Sequence, residues 1–391
     1  MIFLAIIIAV FTPLNVITYR ALNAIHPRRR AFTIALTIIG NAMWLFLPLL
    51  NVRSDISRFI RATLGPPWFA WQCFTFLYCA FLLLVWITRI PFKWPSRIFL
   101  LLIAIGGLVG VYQCLVPLYI DRVPVTLDDL PRELDGKKIA VVGDLHVGLF
   151  TRPSRLEQIF AATTALHPDV VVLAGDLIDD DPHYIPKLIA ALHSLDPHIP
   201  LIAVLGNHEM YGAPYEAIAK YRASGRMRLL VNEGVATNGL WFAGLSDYAA
   251  RDARLRPNIR AALASRPANA YPIVIAHQPK AFADARSQHI ALTLCAHSHG
   301  GQFGIRSLRW TLAGLFIPYH IGLYREGGAQ LYVHTGAGYW LLPFRLGITP
   351  EISLIELRRA VAPSVSEGPG RADEALHSAP AQILRRRRGS G

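Results

Sequence analysis

Cysteine is scarce in this 391-residue chain: there are four, and Cys73, Cys79 and Cys114 fall in apolar segments. Cys295 stands alone in the polar part, so no disulfide framework can hold that part together, and the redox compartment stays open. Acidic residues are also in deficit, 26 against 39 Lys plus Arg, giving a formal charge of +13. Much of the surplus sits in short clusters: Arg28-Arg29-Arg30, the Arg53/Arg58/Arg61 loop, and Arg385 to Arg388. Beside apolar segments such clusters set topology or meet anionic lipid head groups, and no nucleic-acid partner is expected.

Charge is missing altogether from four stretches, about Ile2 to Tyr19, Ala31 to Leu50, Trp68 to Thr88 and Ile98 to Ile120. Each approaches the roughly 20 residues that cross a hydrocarbon core. Their concentration before Asp121 accounts for a mean hydropathy of +0.35. The lack of charge within them argues against an ion or proton pathway. The first stretch has neither a basic leading region nor a small-residue cleavage pattern, so it is expected to be a retained anchor. Trp68, Trp71, Trp86 and Trp94 lie at or near segment ends, where indole rings anchor at the interface. Residues 1–120 are thus expected to form four transmembrane helices, making the chain a multi-pass protein of the cell membrane with the lipid bilayer as partner. Basic residues divide evenly between the two sides: Arg20, Arg28, Arg29, Arg30, Arg89, Lys93 and Arg97 against Arg53, Arg58, Arg61, Arg122, Arg132, Lys137 and Lys138. The uncharged amino-terminal stub and the dense Arg triplet favour a cytosolic first loop, hence an extracytoplasmic polar domain.

Residues 121–136 read as a linker, 137–359 as one polar domain, and 360–391 as a disordered basic tail without periodicity. Within the domain, Lys137 to Val142, Asp169 to Ala174, Leu201 to Leu205, Tyr271 to Ala276 and Ala291 to Cys295 read as buried strands. Leu229 to Val231, Leu240 to Ala243, Gln330 to Val333 and Ile352 to Leu357 read as a second set. A helix opens at Pro153 with Ser154 as its expected cap. Strands alternating with helices imply an α/β fold.

Five of these strands end in the same kind of loop. The first supplies Asp144 and His146, the second Asp176 and Asp179, the third Asn207, His208 and Glu209, the fourth His277, and the fifth His297 and His299. Loops that share a sheet edge converge, and these bring carboxylates, an amide oxygen and imidazoles together. That donor mix suits Mn, Fe or Zn rather than a thiolate site. Two such ions need a bridging ligand and can hold a bridging water as hydroxide at neutral pH. Asp176, between the first and third groups, is the natural bridge.

The blocks Asp144-Leu145-His146, Gly175-Asp176-Leu177-Ile178-Asp179, Gly206-Asn207-His208-Glu209, His277 and Ala296-His297-Ser298-His299 occur in that order. In this the chain resembles the calcineurin-like metallophosphoesterase superfamily. Gly300-Gly301-Gln302, Leu331 to Gly338, Pro343-Phe344-Arg345 and Pro350-Glu351-Ile352 look like its membrane-anchored bacterial branch. The resemblance implies a two-sheet sandwich flanked by helices, and two bound divalent ions. It implies that Asp144, His146, Asp176 and His299 hold the first ion, and Asp176, Asn207, His277 and His297 the second. His208 would stabilise the transition state or protonate the leaving oxygen. The implied activity is that of a phosphodiesterase or phosphatase working by attack of a metal-bridging hydroxide, with manganese as the metal first tried. A phosphoester or pyrophosphate substrate, with lipid-linked and cell-envelope compounds favoured by the short tether, is expected.

One departure is Ala296 where the family has Gly, which would strain a positive φ. Asp179 is expected to orient neighbours rather than bind metal, and Glu209 either to orient the site or to cap a helix. His334 and the other unmatched histidines are expected to be ordinary surface or core residues, and Asp247, which follows a strand and could approach the cleft, is given no role. The competing readings are a non-catalytic membrane scaffold that keeps the fold without the chemistry, which should show as missing members of the ligand set even if some metal binding remains, and a signalling or transport protein.

Overall fold

The computed structural model describes residues 2–42, 55–360 and 382–384. It divides into two compact units, Met1–Val109 with Leu341–Pro343, and Gly110–Trp340 with Phe344–Gly391.

The first unit is helical. Its helices are α1 (Ile2–Ile25), α2 (Arg30–Asn41), α3 (Asp55–Thr88) and most of α4 (Lys93–Leu115). Among the described residues only two segments, Thr63–Thr88 and Lys93–Leu115, are long and apolar enough to cross a bilayer, not the four expected. The described length of α2 is 12 residues, roughly 18 Å at 1.5 Å per residue, against about 30 Å of hydrocarbon. The remainder of that expected span lies outside the described residues. Within α1, Asn15 is drawn into polar contacts, its Oδ1 accepting from Trp71 Nε1 at 2.5 Å and from Asn41 Nδ2 at 3.0 Å.

The second unit holds the strands. β1 (Leu118–Leu127), β2 (Lys138–Val142), β3 (Val170–Ala174), β4 (Leu201–Val204) and β5 (Arg228–Leu230) belong to one sheet. β6 (Glu233–Thr237), β7 (Leu240–Gly244), β8 (Tyr271–Ile275) and β9 (Leu292–Cys295) belong to another. A small ribbon, β10 (Gly304–Ile305) and β11 (Trp310–Thr311), follows, and β12 (Gly322–Glu326) with β13 (Ala329–Val333) returns to the second sheet. β14 (Glu351–Arg359) and β15 (Gln382–Leu384) close the first, giving the orders β15-β1-β14-β2-β3-β4-β5 and β12-β13-β9-β8-β7-β6.

The alternation of side chains builds the layers. On β2, Ile139 and Val141 face the other sheet in a core shared with Val172, Phe242, Ile273 and Leu294, while Ala140 and Val142 face the helices. α5 (Pro153–Thr164), α6 (Ile185–Ala191), α7 (Asn207–Tyr211) and α8 (Pro214–Ala223) precede α9 (Ile259–Leu263) and α10 (Ala281–Ser287). Phe160, Leu188 and Tyr221 cover the first sheet, and Ala262 and Phe282 the second. The result is the α/β two-sheet sandwich flanked by helices that the resemblance implied.

Several expectations are corrected. The first part of the expected linker, Asp121 to Leu127, belongs to β1, which runs parallel to β14, with Asp121 opposite Ser353 and Leu127 opposite Arg359. Its buried-exposed alternation is that of a strand with one side in the core. β8 and β9 join the second sheet, whereas β5 and β14 join the first, so order along the chain does not sort the strands into sheets. Ser154 lies inside α5, whose N-cap is Arg152 without a side-chain cap. In the segment read as a tail, Gln382–Leu384 pair antiparallel with β1; residues 361–381 and 385–391 lie outside the described residues.

Candidate metal centre

The strand ends β2, β3, β4, β8 and β9 bring their loops together. The first two loops are laced by Asp144 N–H to Gly175 C=O and His146 N–H to Asp176 C=O, each at 3.0 Å. Asp144, His146, Asp176, His297 and His299 all have positive φ, between 44° and 75°. Left-handed backbone at non-glycine residues is uncommon and collects at functional sites. Here it turns five side chains inward within a few residues of each strand. Ala296 is not among the positive-φ residues; the strain expected of it falls on the histidines that follow.

Gly206 is needed for space. A Cβ there would lie 2.1 Å from Asp176 Oδ1. That oxygen instead accepts from His208 N–H at 2.9 Å. Glu209 fastens the third loop to the second: Oε1 accepts from Leu177 N, Ile178 N and Tyr221 OH, and Oε2 from Gly206 N at 2.7 Å. It therefore both caps α7 and orients the site.

Two groups of candidate ligands result, Asp144 with His146 and His299, and Asp176 with His277 and His297, each with its donor atoms within 4.8 Å of one another. Asp176 Oδ2 faces both, 3.6 Å from His146 Nε2 and 3.1 Å from His277 Nε2. Asn207 Oδ1 joins the second group at 3.1 Å from His277 Nε2. All seven expected ligands are thus brought to one place.

The donor set fits cations. His277 Nδ1 meets the Ala174 carbonyl at 2.9 Å and donates to it. Its Nε2 then faces two acceptor oxygens and His297 Nδ1 at 3.2 Å. His146 Nε2 and His299 Nε2 meet at 2.9 Å, and the buried Asp144 Oδ2 has no hydrogen-bond partner among the described residues. Buried lone pairs pointed at one another, as between His146 and His299, are costly, and a divalent ion in each group would satisfy them. The electrostatics agree. Burial pulls on His277, but Asp176 and Asp144 outweigh it and push its pKa up to about 10. Burial works against Asp176 as a carboxylate, yet His277 and His146 hold it well below the usual range. Burial, then His277, lowers His297 to about 3, and burial with His146 and Arg345 lowers His299. The carboxylates draw positive charge into the site: without an ion His277 carries it as a proton, which an ion would replace, while His297 and His299 stay neutral with lone pairs free to ligate.

His208 stands apart from both groups. Its ring meets His146 edge-on at 4.4 Å between centroids, and its Nδ1 lies 2.7 Å from Asp180 Oδ1 and 3.5 Å from Asp179 Oδ1. Asp179 also reaches His146 Nδ1 at 3.7 Å, forming a third cluster with His146 and His208. Burial would lower the His208 pKa, but Asp180 and Asp176 raise it to about 9.

Sequence reasoning missed Asp180 and gave no role to Arg345 or Asp247. Asp180 is signalled only by the run Asp179-Asp180-Asp181. Arg345, fully buried, places Nη2 3.2 Å from His299 Nδ1 and donates to Thr335 O at 2.8 Å and Gly338 O at 2.8 Å. Asp247, buried at the end of β7, accepts from Gln278 Nε2 at 2.7 Å beside His277. His334 has the ordinary role expected: Nδ1 accepts from Gly336 N–H and Nε2 donates to Glu351 C=O.

Residues 137–301 match the family of calcineurin-like phosphoesterases, and this part of the chain belongs to it. The family is one of metal-dependent phosphoester hydrolases that use a dinuclear centre. An uncharacterized metallophosphoesterase of Helicobacter pylori (strain J99 / ATCC 700824) is 34% identical over 251 residues, 63% of this chain and 66% of that protein. A transmembrane protein with metallophosphoesterase domain from Danio rerio is 30% identical over 271 residues, 66% of this chain and 61% of that one. The chain therefore spans a little under two thirds of the length of these relatives. A dimetal phosphatase from Danio rerio aligns structurally at TM-score 0.35 and 13% identity, over 52% of this chain and 88% of that one.

Proposed function

We propose that this chain is a membrane-anchored, dinuclear metal-dependent phosphoesterase. The observation that carries the reading is the position of Asp176, one carboxylate oxygen of which faces both groups of ligands. Asp144, His146 and His299 would complete one ion's set, and Asn207, His277 and His297 the other's. When bound, such ions supply Lewis acidity toward phosphoryl oxygens and lower the pKa of a water.

The chain's own residues do the rest. His208, held protonated by Asp180, delivers a proton to the leaving oxygen. Glu209 fixes the loop that carries both Asn207 and His208. Anchoring is supported by the two apolar helices and by the relatives named transmembrane proteins. Only Val116 and Pro117 separate α4 from β1, so a membrane-borne substrate is favoured: a phospholipid, a lipid-linked pyrophosphate or a cell-envelope glycolipid precursor. The Arg28-Arg29-Arg30 triplet after an uncharged amino-terminal stub supports an extracytoplasmic catalytic unit. The test is a panel of lipid and nucleotide phosphoesters presented to the full chain with Mn²⁺. Hydrolysis of lipid phosphoesters is expected; activity confined to soluble nucleotides would overturn the substrate class.

A further inference from the structure

The segment from Phe303 to Phe316 turns its apolar side chains away from the protein. In the β10–β11 ribbon, Gly304 pairs with Thr311 and Ile305 with Trp310. Leu312 N–H continues the ladder to Phe303 C=O at 2.8 Å. Side chains alternate across a strand, so Phe303, Ile305, Trp310 and Leu312 share one face. All four are exposed, while Gly304 and Thr311 are buried beneath them. A ribbon resting on a protein ordinarily does the reverse. Leu308, in the connecting turn, is 70% exposed and Phe316 82%, the two most exposed large apolar side chains of the catalytic unit among the described residues.

This outward face is fixed. On the underside Thr311 Oγ1 pairs with His320 Nδ1 at 2.9 Å and accepts from Gly314 N–H at 3.2 Å. A slip of one residue would bury the apolar face and break these bonds. Charge complements an anionic surface: no Asp or Glu occurs between Asp284 and Glu326, and Arg309 is exposed at the turn.

Two neighbours say what meets the face. Gly304 N–H donates to Leu346 C=O and Leu346 N–H to Gln302 C=O. The flanking Arg345 and Gly347 N–H groups donate to Gly110 C=O and Gln113 Oε1 on the end of α4, which belongs to this unit. The ribbon is thus tied to the end of a helix apolar enough to span a bilayer. On its other side Gln302 exchanges two hydrogen bonds with Trp340, whose ring lies 6.4 Å from His208.

We propose that this ribbon is a second, peripheral membrane contact, which seats its apolar face at the boundary of head groups and acyl chains of an anionic bilayer beside the metal centre. It rests on the membrane anchoring proposed above. The full chain, with the less buried Cys73 and Cys79 replaced by serine, is reconstituted into vesicles of phosphatidylcholine and phosphatidylglycerol. An environment-sensitive dye is attached at Phe316→Cys, or at Ser265→Cys as an exposed control. At Phe316 the emission should shift to the blue and be quenched by doxyl-labelled lipids, as a depth of about 5–10 Å implies; at Ser265 neither should occur. Flotation of the vesicles reads the anchoring separately. A chain that floats while the Phe316 dye stays in water overturns the ribbon contact alone, and a blue shift without lipid quenching overturns it in favour of a protein contact. A chain that does not float overturns the anchoring and the ribbon contact with it.

Discussion

His208 Nδ1 lies 2.7 Å from Asp180 Oδ1. The pair holds the imidazolium to about pH 9 against the desolvation that opposes it. A raised histidine pKa means that the charged form is complete at neutral pH and is lost as pH rises through about 9. In the proposed role as proton donor, kcat should therefore fall on the alkaline side. Asp180→Asn should move that limb toward lower pH, and His208→Gln should lower kcat by about 10²–10⁴ with metal content unchanged. A pH profile of kcat for the three proteins checks this; an alkaline limb that Asp180→Asn leaves in place contradicts it.

Gly206→Ala tests the space around Asp176. Its Cβ would meet Asp176 Oδ1 at 2.1 Å and Asp176 N at 2.4 Å, so the carboxylate must leave its position. Affinity for the bound metal should fall by roughly 10–100-fold, as loss of a supporting contact ordinarily does. Metal titration by calorimetry reads this, with circular dichroism to show the sandwich retained.

Glu209 holds four donors in a buried place. Glu209→Ala orphans them at about 1–3 kcal/mol for each that water cannot reach. A net loss on the order of 3 kcal/mol, roughly 6–12 °C in Tm for a domain of this size, is expected. Glu209→Gln, which keeps an acceptor, should lose less. Equal losses for the two variants would show that the acceptor does not matter.

The site was more legible in the sequence than the fold around it. Each ligand sits just past a buried strand, so Asp144, Asp176, Asn207, His277 and His297 announced themselves by the apolar run before them. Asp180 and Arg345 did not, because they act by touching a ligand or a histidine across distances in sequence that no local pattern records. β1 was misread for a physical reason: Asp121, Arg122 and Pro124 make Asp121–Leu127 look like a solvated connection, yet the pairing with β14 and the burial of Val125 and Leu127 make it a strand. Sheet membership is likewise set by packing between β8, β9 and β7 rather than by order along the chain. Absence of charge alone leads to the expectation of four spans; among the described residues two segments are long and apolar enough, and part of the second expected span lies outside those residues.

The account turns on Asp176 as the shared ligand of a two-ion centre. The full chain, purified in detergent and loaded with Mn²⁺, should hold two ions by elemental analysis and hydrolyse an aryl phosphodiester. Asp176→Ala should lose bound metal and all measurable hydrolysis together. Full activity in that variant, or a wild-type chain that binds no metal, would contradict the account.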